Sequence, residues 1–348
     1  MLIIDGHLDL ASSAVGKNRN LTLSVPEIRK SEVDKIHRRG GWGTNTVSFY
    51  EMRRGEVAVC LATCNPLRGY ASFDIAHATA RGNLAYYQFL ESQDQIRIIK
   101  DWDALDNHFE EWKNIKDEEK LIGVILAMEG SDGIVKPNML KTWYDNGLRV
   151  FSLVHYGKNI FAHGTSSTGG LTKLGKELLE EMHSIGAILD ISHLSEDSFW
   201  EALDLFSGPV IATHNNCRAL VPGDRQLSDS QIQTLIQREA VIGIGLDAWM
   251  LYPGWIKGET SNSVVSLEAV ADHMYHVCKL AHKSSNVAIG SDLDGGYGTE
   301  QCPFDLDTIA DLQKIPKLLR KRNYIEDDIE NIMHRNWLRF FKNIWQTN

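Results

Sequence analysis

Short strand-like apolar runs recur along this chain, and several of them end in an imidazole or a carboxylate. The runs are rich in Val, Ile and Leu and are apolar on both faces, which is typical of buried parallel β-strands. We predict eight strands: Leu2–Gly6, Glu56–Cys64, Leu121–Met128, Leu148–Val154, Ala187–Ser192, Pro209–Thr213, Val241–Leu246 and Asn286–Gly290. Helical periodicity lies between and after them, at Phe73–Gln93, Ala104–Lys116, Leu171–His183, Ser195–Phe206, Ser228–Arg238, Leu267–His282 and Glu326–Trp345.

Eight strands alternating with helices predict a fold of the α/β class, a closed (β/α)8 TIM barrel. No Pro/Ser-rich linker, low-complexity tract or repeat divides the chain, so we expect a single domain over residues 1–348. An open doubly wound sheet is the alternative fold. It is disfavoured because no Gly-x-Gly-x-x-Gly turn follows the first strand.

Composition and charge argue against several kinds of partner. The net charge is −10, and no basic run exists that would mark a nucleic-acid-binding face. No apolar stretch is as long as a membrane span, and the first residues lack the pattern of a leader, so we expect a cytoplasmic protein without a membrane partner. Five cysteines, an odd number scattered along the chain, indicate reduced thiols rather than a disulfide framework.

Ionisable residues at the predicted strand ends indicate a metal site. A parallel barrel points the downstream ends of all its strands at one mouth, so distant residues converge there. His193 and His214 are separated by one helix and one strand, which places them on neighbouring strands. Two His, carboxylates and a His-x-Asp pair are ligand types that a two-metal hydrolase needs. The predicted ligands are His7, Asp9, Glu129, His193, His214 and Asp292.

Other polar residues at the same mouth suit substrate chemistry. His155 ends the fourth predicted strand and is suited to a developing oxyanion, while Arg225 could clamp a carboxylate with two hydrogen bonds. Asp292 could also accept a proton from attacking water. Asp190 lies below the rim and is a candidate to hold a ligand histidine.

These residues resemble, in order and over nearly the whole length, the membrane dipeptidase (renal-type) family of metallo-dipeptidases. The matching motifs are Asp5-Gly6-His7-Leu8-Asp9, Glu129-Gly130, His155, Asp190-Ile191-Ser192-His193, Ile211-Ala212-Thr213-His214, Arg225 and Gly290-Ser291-Asp292-Leu293-Asp294-Gly295. The resemblance implies one zinc on His7 and Asp9 with Asp292 nearby, a second on His193 and His214, and Glu129 as the bridge.

The same resemblance implies roles for the remaining residues. Asp292 would move the proton, His155 would stabilise the tetrahedral intermediate, and Arg225 would bind the C-terminal carboxylate of the substrate. A homodimer is expected from the family alone. We expect zinc as the metal, although imidazole and carboxylate ligands suit manganese and cobalt as well.

The chain departs from the family pattern at four places. They are Leu8 and Ala11, Gly130-Ser131-Asp132, Gly245-Leu246-Asp247, and Thr63-Cys64-Asn65. We expect all four departures to touch the substrate pocket rather than the metal ligands. Asp247 would then add negative charge beside the substrate and could favour a basic residue, or it could lie outside contact range.

We therefore expect a zinc-dependent hydrolase that cleaves L,L- or L,D-dipeptides with metal-activated water. One alternative is another reaction on the same kind of barrel, carried out by an N-acyl-amino-acid hydrolase, a lactonase or a deaminase. A second alternative, a barrel that only binds a ligand, is disfavoured because no metal ligand is missing. For the aromatic residues Trp249, Tyr252 and Trp255 we favour a packing role over substrate contact.

Overall fold

Parallel strands form a nearly closed barrel at the centre of the computed structural model, which describes residues 1–38, 40–66, 72–116 and 120–346. The strands are β1 (Ile3–Leu8), β2 (Val57–Thr63), β3 (Ile96–Ile98), β4 (Ile122–Met128), β5 (Leu148–Ser152), β6 (Ile188–Asp190), β7 (Val210–Ile211), β8 (Ile242–Ile244) and β9 (Val287–Ile289). Around the barrel their order is β7-β6-β5-β4-β2-β1-β9-β8, and β3 pairs with β4 outside this path. A parallel bridge between Ala212 and Ile242 closes the ring.

All eight predicted strands are confirmed, and the TIM barrel with them. The observed strands are mostly shorter than the predicted ones because several chain segments leave the ladder as they approach the mouth. Strand β3 was not predicted: it has only three residues, and half-buried Arg97 stands between its two isoleucines. A segment this short carries no readable period and is recognisable only through its pairing with β4.

Helices surround the barrel. They are α1 (Leu10–Lys17), α2 (Val25–Ser31), α3 (Phe49–Arg54), α4 (Phe73–Ser92), α5 (Trp102–Asn114), α6 (Leu140–Asp145), α7 (Lys173–Ser184), α8 (Glu196–Leu205), α9 (Asp229–Gln237), α10 (Ala248–Leu251), α11 (Leu267–Ala281), α12 (Ile315–Lys321), α13 (Glu326–Glu330) and α14 (Asn336–Trp345). The predicted N-cap Ser195 is confirmed, since its side chain accepts a hydrogen bond from the Ser198 N–H at the start of α8.

The predicted C-terminal helix is interrupted by a π-helical segment, Asn331–Arg335, between α13 and α14. Asn336, directly after it, is fully buried and donates hydrogen bonds of 2.7 Å to the carbonyls of Ser284 and Val287. These contacts anchor the start of α14 against β9. They are tertiary contacts, so the helical sequence pattern could not predict the π-helical interruption.

Close packing fills the barrel interior where β9 ends. Trp337 of α14 is fully buried, and its Nε1 donates a 3.0 Å hydrogen bond to the carbonyl of Ile289 in β9. A Cβ atom added at Gly290 would lie 1.7 Å from the carbonyl oxygen of Thr213, so only glycine fits there. No helix within the described ranges combines the length and apolarity needed to cross a bilayer.

Candidate active site at the mouth of the barrel

Four histidines surround one carboxylate at the barrel mouth. The Glu129 Oε1 atom lies 3.2 Å from His193 Nε2, 3.4 Å from His214 Nε2, and 3.6 Å from both His7 Nε2 and His155 Nε2. Each of these residues belongs to or closely follows a different strand, and all five are buried. Sequence positions up to 207 residues apart therefore meet at a single oxygen.

Two further carboxylates complete the cluster. His7 Nε2 lies 4.0 Å from Asp9 Oδ1 and 3.9 Å from Asp292 Oδ1. Three overlapping groups have ligand atoms within 4.8 Å of one another: His7, His214 and Asp292; Glu129, His155 and His193; and His7, Asp9 and Glu129. The Nε2 atom of His7 is buried and has no hydrogen-bond partner among the described residues. An unpaired imidazole nitrogen beside three acids fits a divalent cation.

A hydroxyl that the sequence analysis missed holds two of these histidines. Thr213 Oγ1 lies 3.2 Å from His7 Nδ1 and 2.9 Å from His214 Nδ1, and donates a 2.7 Å hydrogen bond to Asp190 Oδ2. With its proton committed to Asp190, this oxygen accepts from both Nδ1–H groups, which leaves both Nε2 atoms available as ligands. Asp190, predicted to hold a ligand histidine itself, acts instead through Thr213.

Similar contacts orient the other ligands. Thr165 Oγ1 lies 3.0 Å from His193 Nδ1, Thr63 donates to Asp9 Oδ1, and Asn65 donates a 3.1 Å hydrogen bond to Glu129 Oε2. The sequence analysis singled out Thr63 and Asn65 only as part of a departure from the family pattern at the end of β2. Ligand atoms supported in this way keep their geometry without a bound ion.

Two of the predicted ligands have left-handed backbone conformations. The φ angle is 68° at His193 and 56° at Asp292. Non-glycine residues rarely adopt this region, and such strain tends to occur at functional sites. Both residues lie three positions beyond their strands, β6 and β9, so the turn re-aims their side chains towards the cluster.

The cluster has the electrostatics of a cation site. Burial alone would raise the pKa of Glu129, but the surrounding imidazoles, with His155 and His7 first, hold it well below its usual range. Burial lowers the pKa of both His193 and His214, which keeps these rings neutral. Burial, then the charges of Glu129 and Asp9, raises the pKa of Asp292 well above its usual range. Neutral imidazoles and crowded acids suit metal ligation.

A cavity of about 420 Å³ opens above the cluster. His155, Arg225 and Asp247, the three predicted substrate-binding residues, line it together with Asp9, Tyr156, Trp249, Trp255, Lys257, Asp292 and Gln301. Trp249 and Trp255 line this cavity, and Trp255 also packs against the apolar core, whereas Tyr252 is 38% exposed and outside the lining.

Arg225 and Asp247 are buried on the cavity wall. Arg225 Nη2 donates a 2.7 Å hydrogen bond to the carbonyl of His214, while Nη1 has no partner among the described residues. The Asp247 oxygens accept hydrogen bonds of 2.7 and 2.9 Å from Gln301 Nε2. Burial raises the pKa of Asp247 to about 6.

Only one of the four departures from the family pattern lies on the described cavity wall, that at Asp247. The expectation that all four touch the pocket was therefore wrong. Asn65 instead contacts the ligand Glu129, and the Ala11 N–H donates to the buried hydroxyl of Tyr87. Residues that follow a strand can face the barrel interior as easily as the cavity, and local sequence does not distinguish the two.

The family model for membrane dipeptidases (peptidase family M19) matches residues 1–348. The chain belongs to this family. Membership makes the protein a peptide-bond hydrolase, a metallo-dipeptidase acting on small peptides. An uncharacterized dipeptidase of Schizosaccharomyces pombe is 28% identical over 320 residues, which is 86% of this chain and 72% of that protein.

Solved structures share the fold of this dipeptidase. One, the structure of a dipeptidase and metallopeptidase, has a TM-score of 0.81 at 22% identity, with 99% of both chains covered. A metallopeptidase from Rhodobacter sphaeroides, bound to a phosphinate mimic of L-Ala-D-Ala, has a TM-score of 0.80 at 21% identity and the same coverage.

The five cysteines are free and buried, consistent with the predicted reduced thiols.

Proposed function

We propose that this dipeptidase uses two zinc ions, held by His7, Asp9, Glu129, His193, His214 and Asp292. The observation that carries the proposal is the position of Glu129 Oε1, which lies 3.2–3.6 Å from four imidazole Nε2 atoms. Ions bound there would polarise the scissile carbonyl and lower the pKa of a water molecule enough to supply hydroxide near neutral pH.

The protein's own residues would position the substrate and move the proton. Arg225 has a buried Nη1 without a partner among the described residues, which suits a dipeptide's C-terminal carboxylate. His155 lines the cavity beside Glu129 and would donate to the oxyanion as the carbonyl becomes tetrahedral. Asp292, whose pKa is raised by burial, is suited to take a proton from water and return it to the leaving amine.

For the substrate we propose dipeptides with either an L or a D residue at the second position. The R. sphaeroides relative is described with a mimic of L-Ala-D-Ala, which supports the L,D class. The cavity of about 420 Å³ is large enough to hold a dipeptide.

The test is an assay of the purified protein against matched L,L- and L,D-dipeptides, with and without chelator, and with metals counted by elemental analysis. We expect about two zinc equivalents and cleavage that chelator abolishes and zinc restores. Two metals without cleavage of any dipeptide would refute the substrate and direct attention to acylated amino acids and lactones. A single equivalent in a fully active enzyme would refute the two-metal centre.

The single-domain organisation, the cytoplasmic location and the homodimer remain predictions. Light scattering coupled to size-exclusion chromatography would test the homodimer directly, since a dimer has twice the mass of the 39.2 kDa chain.

A further inference from the structure

A second cavity lies beside the active-site cavity and shares a wall with it. The second cavity is the larger, at about 700 Å³ against about 420 Å³. The shared wall consists of Trp255, Lys257 and Gln301, and residues around Trp42 and Glu259 supply much of the rest of the second cavity. A substrate side chain that extends past this wall would lie in the second cavity, away from the metal-ligand cluster.

Lys257 is the cation on the shared wall. Its side chain is exposed, and no described residue forms a hydrogen bond or an ion pair with it. Its positive charge is close enough to Asp247 to lower the pKa of that carboxyl, although burial outweighs this effect. The positively charged ammonium group of Lys257 therefore lies where substrate in the active-site cavity can reach it, and its three N–H donors are not used by other described residues.

The acid on the same side is already occupied. Both oxygens of Asp247 accept hydrogen bonds from Gln301 Nε2, and one of them also accepts from the Trp249 N–H at 3.3 Å. Asp247 is 6% exposed. Trp255 adds a further open donor, because its Nε1 is buried without a partner among the described residues. The shared wall thus offers a substrate free hydrogen-bond donors, on Lys257 and Trp255, whereas the acceptors of the neighbouring Asp247 are already used.

The far side of the second cavity has a similar balance. Glu300 accepts hydrogen bonds from Thr44 Oγ1 at 2.6 Å and from the Gly298 N–H at 3.1 Å. Arg38 lies over the Trp42 ring, 5.7 Å from its centroid, and keeps its charge at the rim. Two exposed carboxylates, Glu259 and the hydrogen-bonded Glu300, line the described part of this cavity together with the cations Arg38 and Lys257.

We propose that Lys257 selects dipeptides with an acidic side chain, and that the second cavity receives this side chain. The inference rests on the proposed dipeptidase function and names its substrate class. It reverses the expectation that Asp247 favours a basic residue, because the Gln301 amide satisfies that carboxylate. A glutamate side chain, which is longer than that of aspartate, is the better fit to a site beyond the wall.

The experiment compares kcat/KM for substrates that differ only in charge, using the zinc-loaded enzyme. The pairs are Ala-Glu against Ala-Gln and Glu-Ala against Gln-Ala, with Ala-Lys and Lys-Ala as cationic references. We expect the acidic member of at least one pair to be preferred about fivefold, since an exposed ion pair contributes up to about 1 kcal/mol. The preference should shrink in high salt.

Two variants at Lys257 test whether this residue causes the preference for acidic dipeptides. Lys257→Met should bring the Glu/Gln ratio close to one, and Lys257→Glu should turn the preference towards the lysine-containing dipeptides. Lys283→Met is the matched control, since Lys283 is exposed and precedes β9 at the opposite end of the barrel. It should keep the wild-type ratio.

Equal cleavage of both members of each pair, or a preference for lysine in the wild-type enzyme, would overturn the inference while leaving the dipeptidase intact. A Glu/Gln ratio that survives in Lys257→Met would overturn it as well. If neutral dipeptides such as Ala-Ala also resist cleavage, the proposed function itself fails, and the inference with it.

Discussion

The two sides of the active site are built differently: a strand-end wall that carries the metal-ligand cluster, and a loop wall that lines the cavity above it. On the strand-end wall, formed by His7, Glu129, His193 and His214, the ligand side chains are fastened from behind by hydroxyl and amide groups. The loop wall is formed by Asp247, Trp249, Trp255 and Lys257, which run from the N-cap of the short helix α10 to the segment after it. Trp255 and Lys257 carry donors without partners among the described residues.

This contrast separates the metal chemistry from the choice of substrate. Residues at or just beyond the strand ends are fixed by the adjacent barrel and by the hydrogen bonds behind them, so groups placed there keep the tight geometry that metal ligation needs. Loops can change length and sequence at little cost to the barrel, so groups placed there can adapt to different substrates. We therefore expect strand-end substitutions to change metal content, and loop-wall substitutions to change selectivity without doing so.

The largest effect is expected for Glu129→Gln. An amide has the size of the carboxylate but lacks its charge, so it cannot bridge two cations between four imidazoles. Activity should fall about a thousandfold or more, and elemental analysis should show less bound zinc. Glu180→Gln, on the exposed face of α7, is the control and should match wild type. Full metal content together with full activity in Glu129→Gln would contradict the bridging role.

The next largest effect is expected for Thr213→Val, which keeps the side-chain shape and removes the hydroxyl. His7 and His214 then lose the acceptor that sets their tautomer, and Asp190 Oδ2 loses the hydroxyl that donates to it. Loss of such supporting contacts typically lowers metal affinity about 10- to 100-fold. Competition with a fluorescent chelator measures this directly. An unchanged zinc affinity would show that the strand-end wall does not depend on its supporting hydroxyl.

Arg225→Met tests the same contrast from the substrate side. Loss of a charge-assisted contact to the C-terminal carboxylate should lower kcat/KM about 10- to 100-fold, mainly through KM. Zinc content should not change. C-terminally amidated dipeptides provide the control, because they lack the carboxylate and should be equally poor substrates for both enzymes. An equal loss on free and amidated substrates would refute the carboxylate contact.

The smallest effect is expected for Asp247→Asn, measured as stability of the metal-free protein against pH. Burial raises the pKa of Asp247 to about 6, so the folded state holds this proton more tightly than the unfolded chain. The wild type therefore loses stability as pH rises from about 4 through about 6, by on the order of 2–3 kcal/mol. The variant lacks this loss and should be the more stable protein at pH 7.5.

Urea denaturation at pH 4 and pH 7.5 provides the comparison for Asp247→Asn. The two proteins should differ by less than about 1 kcal/mol at the lower pH, because the carboxyl is protonated in the folded state and still about half protonated in the unfolded chain, where its pKa is 3.8. A variant that is no more stable than wild type at pH 7.5 would contradict the raised pKa.

Much of the barrel was predictable because its signals are local. Each predicted strand is a short run of Val, Ile and Leu that is buried on both faces. The polar residue at the mouth comes directly after such a run, so it can be read from the sequence. The parallel arrangement then places His7, Glu129, His193 and His214 at one mouth without further information. Strand β3 and the π-helical segment before α14 had no local pattern and were missed.

The sequence by itself thus determined the barrel, the polar residues at its mouth and the family to which the chain belongs. Only the tertiary structure decided that Thr213 serves two histidines, that Asn65 supports Glu129, and that Gln301 satisfies Asp247 while Lys257 stays open. The physical reason is that a strand is recognised from the pattern of residues adjacent in the sequence. These contacts instead join side chains up to 206 positions apart, and their geometry depends on how turns and loops pack.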